Sequence, residues 1–152
     1  MNKKECIRVE KIDHVGIRVR EEKRALLFYS ALGFSIASRA TNDPVVIIKN
    51  QLGVELNIIV NANNRDNKNI LMDEDIKYPG HTHIALCVSS ITDCISALTS
   101  NGIQITQGPV KFDEEGHVSV FIRDPDLNVI ELRGREENLD DIGDLKFYDP
   151  KN

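Results

Sequence analysis

A weak internal repeat constrains this chain more than any other feature. Displaced by 69 residues, His14-Val15-Gly16-Ile17-Arg18-Val19 lies over His83-Ile84-Ala85-Leu86-Cys87-Val88. At the same offset, and without a gap, Ala31-Leu32-Gly33-Phe34-Ser35-Ile36 lies over Ser100-Asn101-Gly102-Ile103-Gln104-Ile105. Each copy runs through an alternating strand, an amphipathic helix, a glycine stop and a second alternating strand. The chain is therefore read as two small modules that share a core, a reading that its 152 residues accommodate.

The spacing of apolar residues predicts a first helix over Glu22–Leu32, with Ala25, Leu26, Phe28, Tyr29 and Leu32 on one stripe. A second is predicted over Ile91–Asn101, with Ile91, Cys94, Ile95 and Leu98 aligned, and Ser90 followed by Asp93 resembles a capping box at its start. Gly33 and Gly102 stand where a left-handed residue would close each helix. Period two then returns. Val45–Lys49 and Val54–Val60 read as strands joined at Asn50-Gln51-Leu52-Gly53. Val118–Ile122 and Val129–Arg133 flank the turn Asp124-Pro125-Asp126-Leu127-Asn128. Each half is thus β-α-β-β-β, over residues 10–60 and 79–134. Residues 61–78, rich in Asn and charge, read as a linker whose apolar Ile70-Leu71-Met72 folds back onto the domain or covers a cavity. Residues 135–152 read as an acidic, solvated tail, disordered or loosely docked, with Phe147 and Tyr148 as candidate anchors near its end.

Composition narrows the function classes. Hydrophobic residues are 41% and charged residues 28%, the balance of a soluble globular protein. A net charge of −5 argues against nucleic-acid binding by counterion release. Apolar runs such as Val45-Val46-Ile47-Ile48 are too short to cross a bilayer. Met1-Asn2-Lys3-Lys4-Glu5-Cys6 starts basic without a following apolar stretch, which speaks against a secretory signal and for a cytoplasmic location. Cys6, Cys87 and Cys94 form an odd set without a CxxC pair, so neither a disulfide framework nor a thiolate zinc site is expected. Cys94 reads as core packing.

Strand alternation sorts the polar side chains, because residues i and i+2 share a face. Val15, Ile17 and Val19 oppose His14, Gly16 and Arg18; Ile84, Leu86 and Val88 oppose His83, Ala85 and Cys87. The apolar faces pack under the helices, which leaves both histidines on the concave face beside very small residues. The last strand of each copy adds an acid, Glu55 and Glu131, again opposite its apolar neighbours. A carboxylate buried in such a strand costs several kcal/mol unless it is paired. One His and one Glu per repeat give two nitrogens and two oxygens suited to a borderline divalent ion. His81 and His117 read as a strand-entrance cap and a surface residue, and Cys87 as small packing.

The stretches Ile12–Val19, Phe28–Phe34, Gly80–Leu86 and Arg123–Leu132 resemble the vicinal oxygen chelate superfamily of glyoxalases, bleomycin-resistance proteins and extradiol dioxygenases. The resemblance implies an α+β fold of two βαβββ modules with curled mixed sheets around a metal site, commonly in a homodimer. In the glyoxalase-like dimers it pairs His14 and Glu55 of one chain with His83 and Glu131 of the other. The order His, Glu, His, Glu resembles bacterial glyoxalase I (lactoylglutathione lyase). It implies Zn or Ni, with Fe, Mn or Co as alternatives, and a small substrate, such as a thiol adduct, with vicinal oxygens. Arg18 matches the family's carboxylate-binding arginine, Lys111 falls in a loop resembling the glyoxalase basic loop, and Asn57 is the further candidate substrate contact. The family's Asn four residues after Glu55 is Ile59 here.

The activity expected is metal-assisted proton transfer of the lyase or isomerase type, with Glu131 and Glu55 as candidate proton shuttles. An Fe(II) extradiol-type dioxygenase, using two His and one Glu, is the second reading. A drug-sequestering protein of the same fold is the third.

Overall fold

The computed structural model describes residues 6–64 and 66–149. The basic start, Met1–Glu5, and the last three residues of the tail lie outside them. The first half contains β1 (Val15–Val19), α1 (Glu22–Ala31), β2 (Ser35–Arg39), β3 (Val45–Lys49) and β4 (Glu55–Val60). The second contains β5 (His83–Cys87), α2 (Ile91–Ser100), β6 (Ile105–Lys111), β7 (Val118–Arg123) and β8 (Val129–Gly134), and a two-residue strand, β9 (Lys146–Phe147), follows. The sheets run β1-β4-β3-β2 and β5-β8-β7-β6-β9. In each, the first strand of the half pairs in parallel with the last, β1 with β4 and β5 with β8, and the other pairs of the half are antiparallel. Two mixed α+β half-sheets result, as the repeat predicts.

Local chemistry sets the ends of these elements. Ser90 Oγ accepts from the Asp93 amide at 3.2 Å and caps α2, the half of the capping box that the sequence signals. Gly33 and Gly102 sit at φ +86° and +66°, the left-handed geometry that turns the chain out of each helix at no Cβ cost. Ile17, Val19, Leu56, Ile58, Val46 and Ile48 of the first sheet and Val118, Val120, Ile122, Ile130 and Leu132 of the second join Ala25, Tyr29, Ile91 and Leu98 of the helices in one core. A buried hydrogen bond crosses it, from the Tyr29 hydroxyl to Asp124 Oδ2 at 2.9 Å. Arg20 Nε meets Asp126 Oδ1 at 2.6 Å beside it.

The opposite faces of the two sheets differ. Val45, Ile47, Glu55, Asn57 and Ile59 of the first are half-buried. In the second, every residue from Val118 to Ile122 and from Val129 to Leu132 is buried. The tail makes this difference, and it is not the loosely held segment that its acidity predicts. A 3-10 turn at Leu139–Asp141 leads to β9, which pairs in parallel with the end of β6. Tyr148 then stacks on Phe112 and Phe121, with centroids 5.0 and 5.7 Å apart. The stacked rings hold the tail against the sheet, while Glu136, Asp140, Asp141 and Asp144 stay exposed and keep their hydration. Of the two anchors expected, Tyr148 is half-buried, whereas Phe147 stays exposed with the Lys111 ammonium over its ring.

Candidate metal centre

His83 opens β5, and Glu131 lies in the middle of β8, where the register sets Ala85 against Glu131 and His83 against Val129. Both side chains leave the same face, so His83 Nε2 and Glu131 Oε2 meet at 3.0 Å across the small Ala85. Glu131 is only 5% exposed, and a carboxylate so buried needs its lone pairs satisfied. Oε1 accepts from Ser119 Oγ at 2.6 Å and from the Arg133 guanidinium at 3.2 Å. Oε2 is left to His83. Thr82 Oγ1 lies 3.0 Å from the other ring nitrogen, Nδ1.

The first half builds its counterpart differently. His14 stands just ahead of β1, with Nδ1 2.7 Å from Asp13 Oδ1. The imidazole holds the Asp13 carboxyl below the usual carboxylate range. Glu55 opens β4 opposite Lys49 of β3, and their charges meet at 2.9 Å. Ligand-capable atoms of Asp13, His14 and Glu55 lie within 4.8 Å of one another. The structure thus brings together His14 with Glu55, and His83 with Glu131. Among the described residues, no group of three or more candidate ligands within that spacing joins the two pairs.

Both pairs fit a divalent ion chemically. Each combines an imidazole with a carboxylate, and two ligands about 2.1 Å from one ion are about 3.0–3.4 Å apart at ordinary coordination angles, close to the His83–Glu131 contact.

Two cavities meet at His83. A groove of about 420 Å³ between the halves is lined by Gly16, Arg18, His81, His83 and Asn128, with Ile70 and Leu71 of the linker along it. Arg18 donates Nε–H to the neutral Asn61 carbonyl at 2.9 Å. A second cavity, of about 550 Å³, lies on the covered face of the second sheet between His83, Phe121, Met72 and Tyr148. Asn57 faces the open side of the first sheet, and its Oδ1 is buried without a hydrogen-bond partner among the described residues. Lys111 is held by Glu114 at 2.7 Å and borders a separate depression beside Asp140 and Asp144. His81 lines the groove; His117 instead joins Asp113 and Glu115 in a cluster on the β6–β7 loop. Sequence reading missed Ser119, Arg133, Thr82 and Asp13. Of these, Arg133 was within reach, because it lies two residues beyond Glu131 on the same face.

Fold and site together describe a paired-module α+β protein with imidazole–carboxylate pairs on its sheets. A family model for the Glyoxalase/Bleomycin resistance protein/Dioxygenase superfamily matches residues 11–132, and the chain belongs to that superfamily. It is 27% identical over 134 residues to a glyoxalase domain-containing protein, RDO1, of Mycosarcoma maydis, covering 85% of this chain and 70% of the relative. It is 29% identical over 132 residues to the virulence protein STM3117 of Salmonella typhimurium, covering 82% and 83%. The solved structure of a glyoxalase family protein from Enterococcus faecalis superposes with a TM-score of 0.65 at 26% identity, over 82% of this chain and 97% of the other.

Proposed function

We propose that this protein is a divalent-metal-dependent lyase or isomerase of the glyoxalase type, acting by proton transfer on a small substrate with vicinal oxygens. The observation that carries the reading is the contact of His83 Nε2 with Glu131 Oε2, whose companion oxygen is tied back by Ser119 and Arg133. His83 and Glu131 would hold the ion from one sheet, and His14 and Glu55 would supply the remaining ligands. The first sheet presents its pair on a half-covered apolar face that includes Ile47 and Ile59, which favours completion of the site by a second copy in a homodimer. Zn or Ni suits two imidazoles and two carboxylates. Bound there, the ion supplies Lewis-acid stabilisation to a substrate oxygen that gains negative charge.

The remaining chemistry belongs to the chain's own residues. The hydrogen bonds separate the two carboxylates. Glu131, fixed through Oε1, stays in place, whereas Glu55 is held, among the described residues, by a half-exposed lysine and can swing to accept a proton from substrate carbon. Arg18 anchors an anionic substrate group in the groove, and the unpartnered Asn57 Oδ1 accepts from a substrate hydroxyl or amide. The Lys111 ammonium, turned to Glu114, contributes charge to the tail rather than a contact at His83. Among the described residues no helix is long and apolar enough to cross a membrane.

A second reading has an observation of its own. Lys49 neutralises Glu55. If it does so permanently, His14, His83 and Glu131 remain as a two-His, one-carboxylate set of the kind that serves Fe(II) oxygen chemistry. Elemental analysis of tag-free protein decides between them. Zn or Ni near one ion per chain supports the isomerase, oxidisable iron supports the dioxygenase, and protein without metal refutes both in favour of drug sequestration. Glu131→Ala is expected to lose metal and turnover of a thiol hemithioacetal together. A metal-replete, fully active variant would sink the proposal.

A further inference from the structure

The 550 Å³ cavity beside His83 has a wall that the superfamily match does not include, because the match ends at residue 132 and Tyr148 comes from the tail. The Tyr148 ring is fixed nearly parallel to Phe112 and Phe121, with interplanar angles of 27° and 26°. Phe121 in turn meets the His83 imidazole edge-on at 5.9 Å. Met72 of the linker and Val129 of β8 complete an apolar lining. The cavity carries no charge to spare. Among the described lining residues the one arginine or lysine, Arg123, donates to both oxygens of Asp73 at 2.9 and 2.7 Å, and Glu131 beside the cavity accepts from His83. Thr106 and Gln107 add only neutral polarity, and the Thr106 hydroxyl is already given to the Phe121 carbonyl. A carboxylate or phosphate placed here would lose its hydration without gaining a counter-charge. A flat apolar ring would gain oriented aromatic contact on top of its burial.

We propose that this cavity is an aryl subsite: it receives a neutral, planar ring of the substrate, with Tyr148 and Phe121 as the specificity-determining walls and the reacting oxygens directed to His83. The placement of those oxygens rests on the function proposed above; the ring recognition does not.

The test therefore begins with metal-free protein. Met72 and Met1 are the only methionines, so a ¹³C-methyl-methionine NMR spectrum has one reporter inside the cavity. The probes are benzohydroxamic, cyclohexanecarbohydroxamic and acetohydroxamic acids, which share two adjacent oxygens and differ in the attached group. Benzohydroxamic acid is expected to move the Met72 methyl signal and to bind about tenfold or more tighter than acetohydroxamic acid. Over the non-planar cyclohexyl probe the expected margin is about threefold to tenfold. Tyr148→Leu keeps an apolar anchor and should erase the phenyl-over-cyclohexyl margin, whereas Tyr148→Phe should keep it. An unmoved Met72 signal overturns the proposal, as does cyclohexyl binding equal to phenyl, or a margin that survives in Tyr148→Leu. Added Zn should strengthen all three probes by a common factor. If it strengthens none, the metal reading fails while the aryl subsite stands.

Discussion

Tyr29 carries the heaviest single polar duty in the core. Fully buried, it gives its hydroxyl to Asp124 Oδ2, and Asp124 Oδ1 accepts from the Asp126 and Asn128 amides to close the β7–β8 turn. Burial pushes the Asp124 carboxyl up, against the hydrogen bonds that stabilise its charge. Tyr29→Phe should therefore destabilise the fold by about 1.5–3 kcal/mol, the range for a hydrogen bond to a charged group, as read by urea unfolding. Burial first, and then the Asp124 charge, raise the Tyr29 phenol well above its ordinary value. A raised folded value means that its contribution is complete below about pH 10, where the unfolded phenol is neutral, and is lost as pH rises past that point. Wild type should thus lose about 1.4 kcal/mol per pH unit more than Tyr29→Phe above pH 10. Equal slopes would show that the phenol does not report the fold. At Glu131 the prediction is Arg133→Ala, which leaves Oε1 to Ser119 alone and should cost about 1–3 kcal/mol in the same measurement. Alternation alone places Glu131 on the concave face and calls for a partner. The identity of the partners was less legible, because Ser119 comes from a neighbouring strand whose register depends on the β7–β8 turn.

At the level of elements, α2 is better capped than α1. Ser90 closes its first turn, and Glu137 Oε1 accepts from the Ile91 amide at 2.6 Å; no side chain caps α1 at Glu21. Glu137 can reach that amide because Gly134 leaves room: a Cβ there would come within 2.3 Å of Glu137 Oε1 and 2.7 Å of its Cγ. Gly134→Ala should push the carboxylate off the helix end and cost about 1–2 kcal/mol, comparable with the roughly 1 kcal/mol expected for Ser90→Ala. Equal stability of Gly134→Ala and wild type in urea would show that the cap does not matter. The helices, the glycine stops and six strands follow from period and turn chemistry, with ends within a residue or so. The shape of β6 does not, since its pairing with β7 shifts register twice between Ile105 and Val110. A two-residue β9 was equally hidden, because a strand so short has no period to read.

Across the whole molecule, the two sheets carry comparable ligand pairs but different cover. Tail and linker close the second sheet, while the first keeps Ile47, Asn57 and Ile59 half-open. If two copies share each site, the ion also holds the copies together. Chelation should then lower the thermal midpoint and, in sedimentation velocity, move the protein from dimer toward monomer. A dimer indifferent to chelation would confine the ion to one chain. The sequence by itself determined the paired half-sheets, the helices under them and the face on which His14, Glu55, His83 and Glu131 lie, because all of these follow from repeats of two and 3.6 residues and from local turn geometry. Only the tertiary structure decided that Glu131 is tied back by Ser119 and Arg133, that Lys49 faces Glu55, and that Tyr148 walls the cavity beside His83. Those contacts join strands or a tail whose meeting depends on register and packing, and no local period encodes which distant side chain fills the last space.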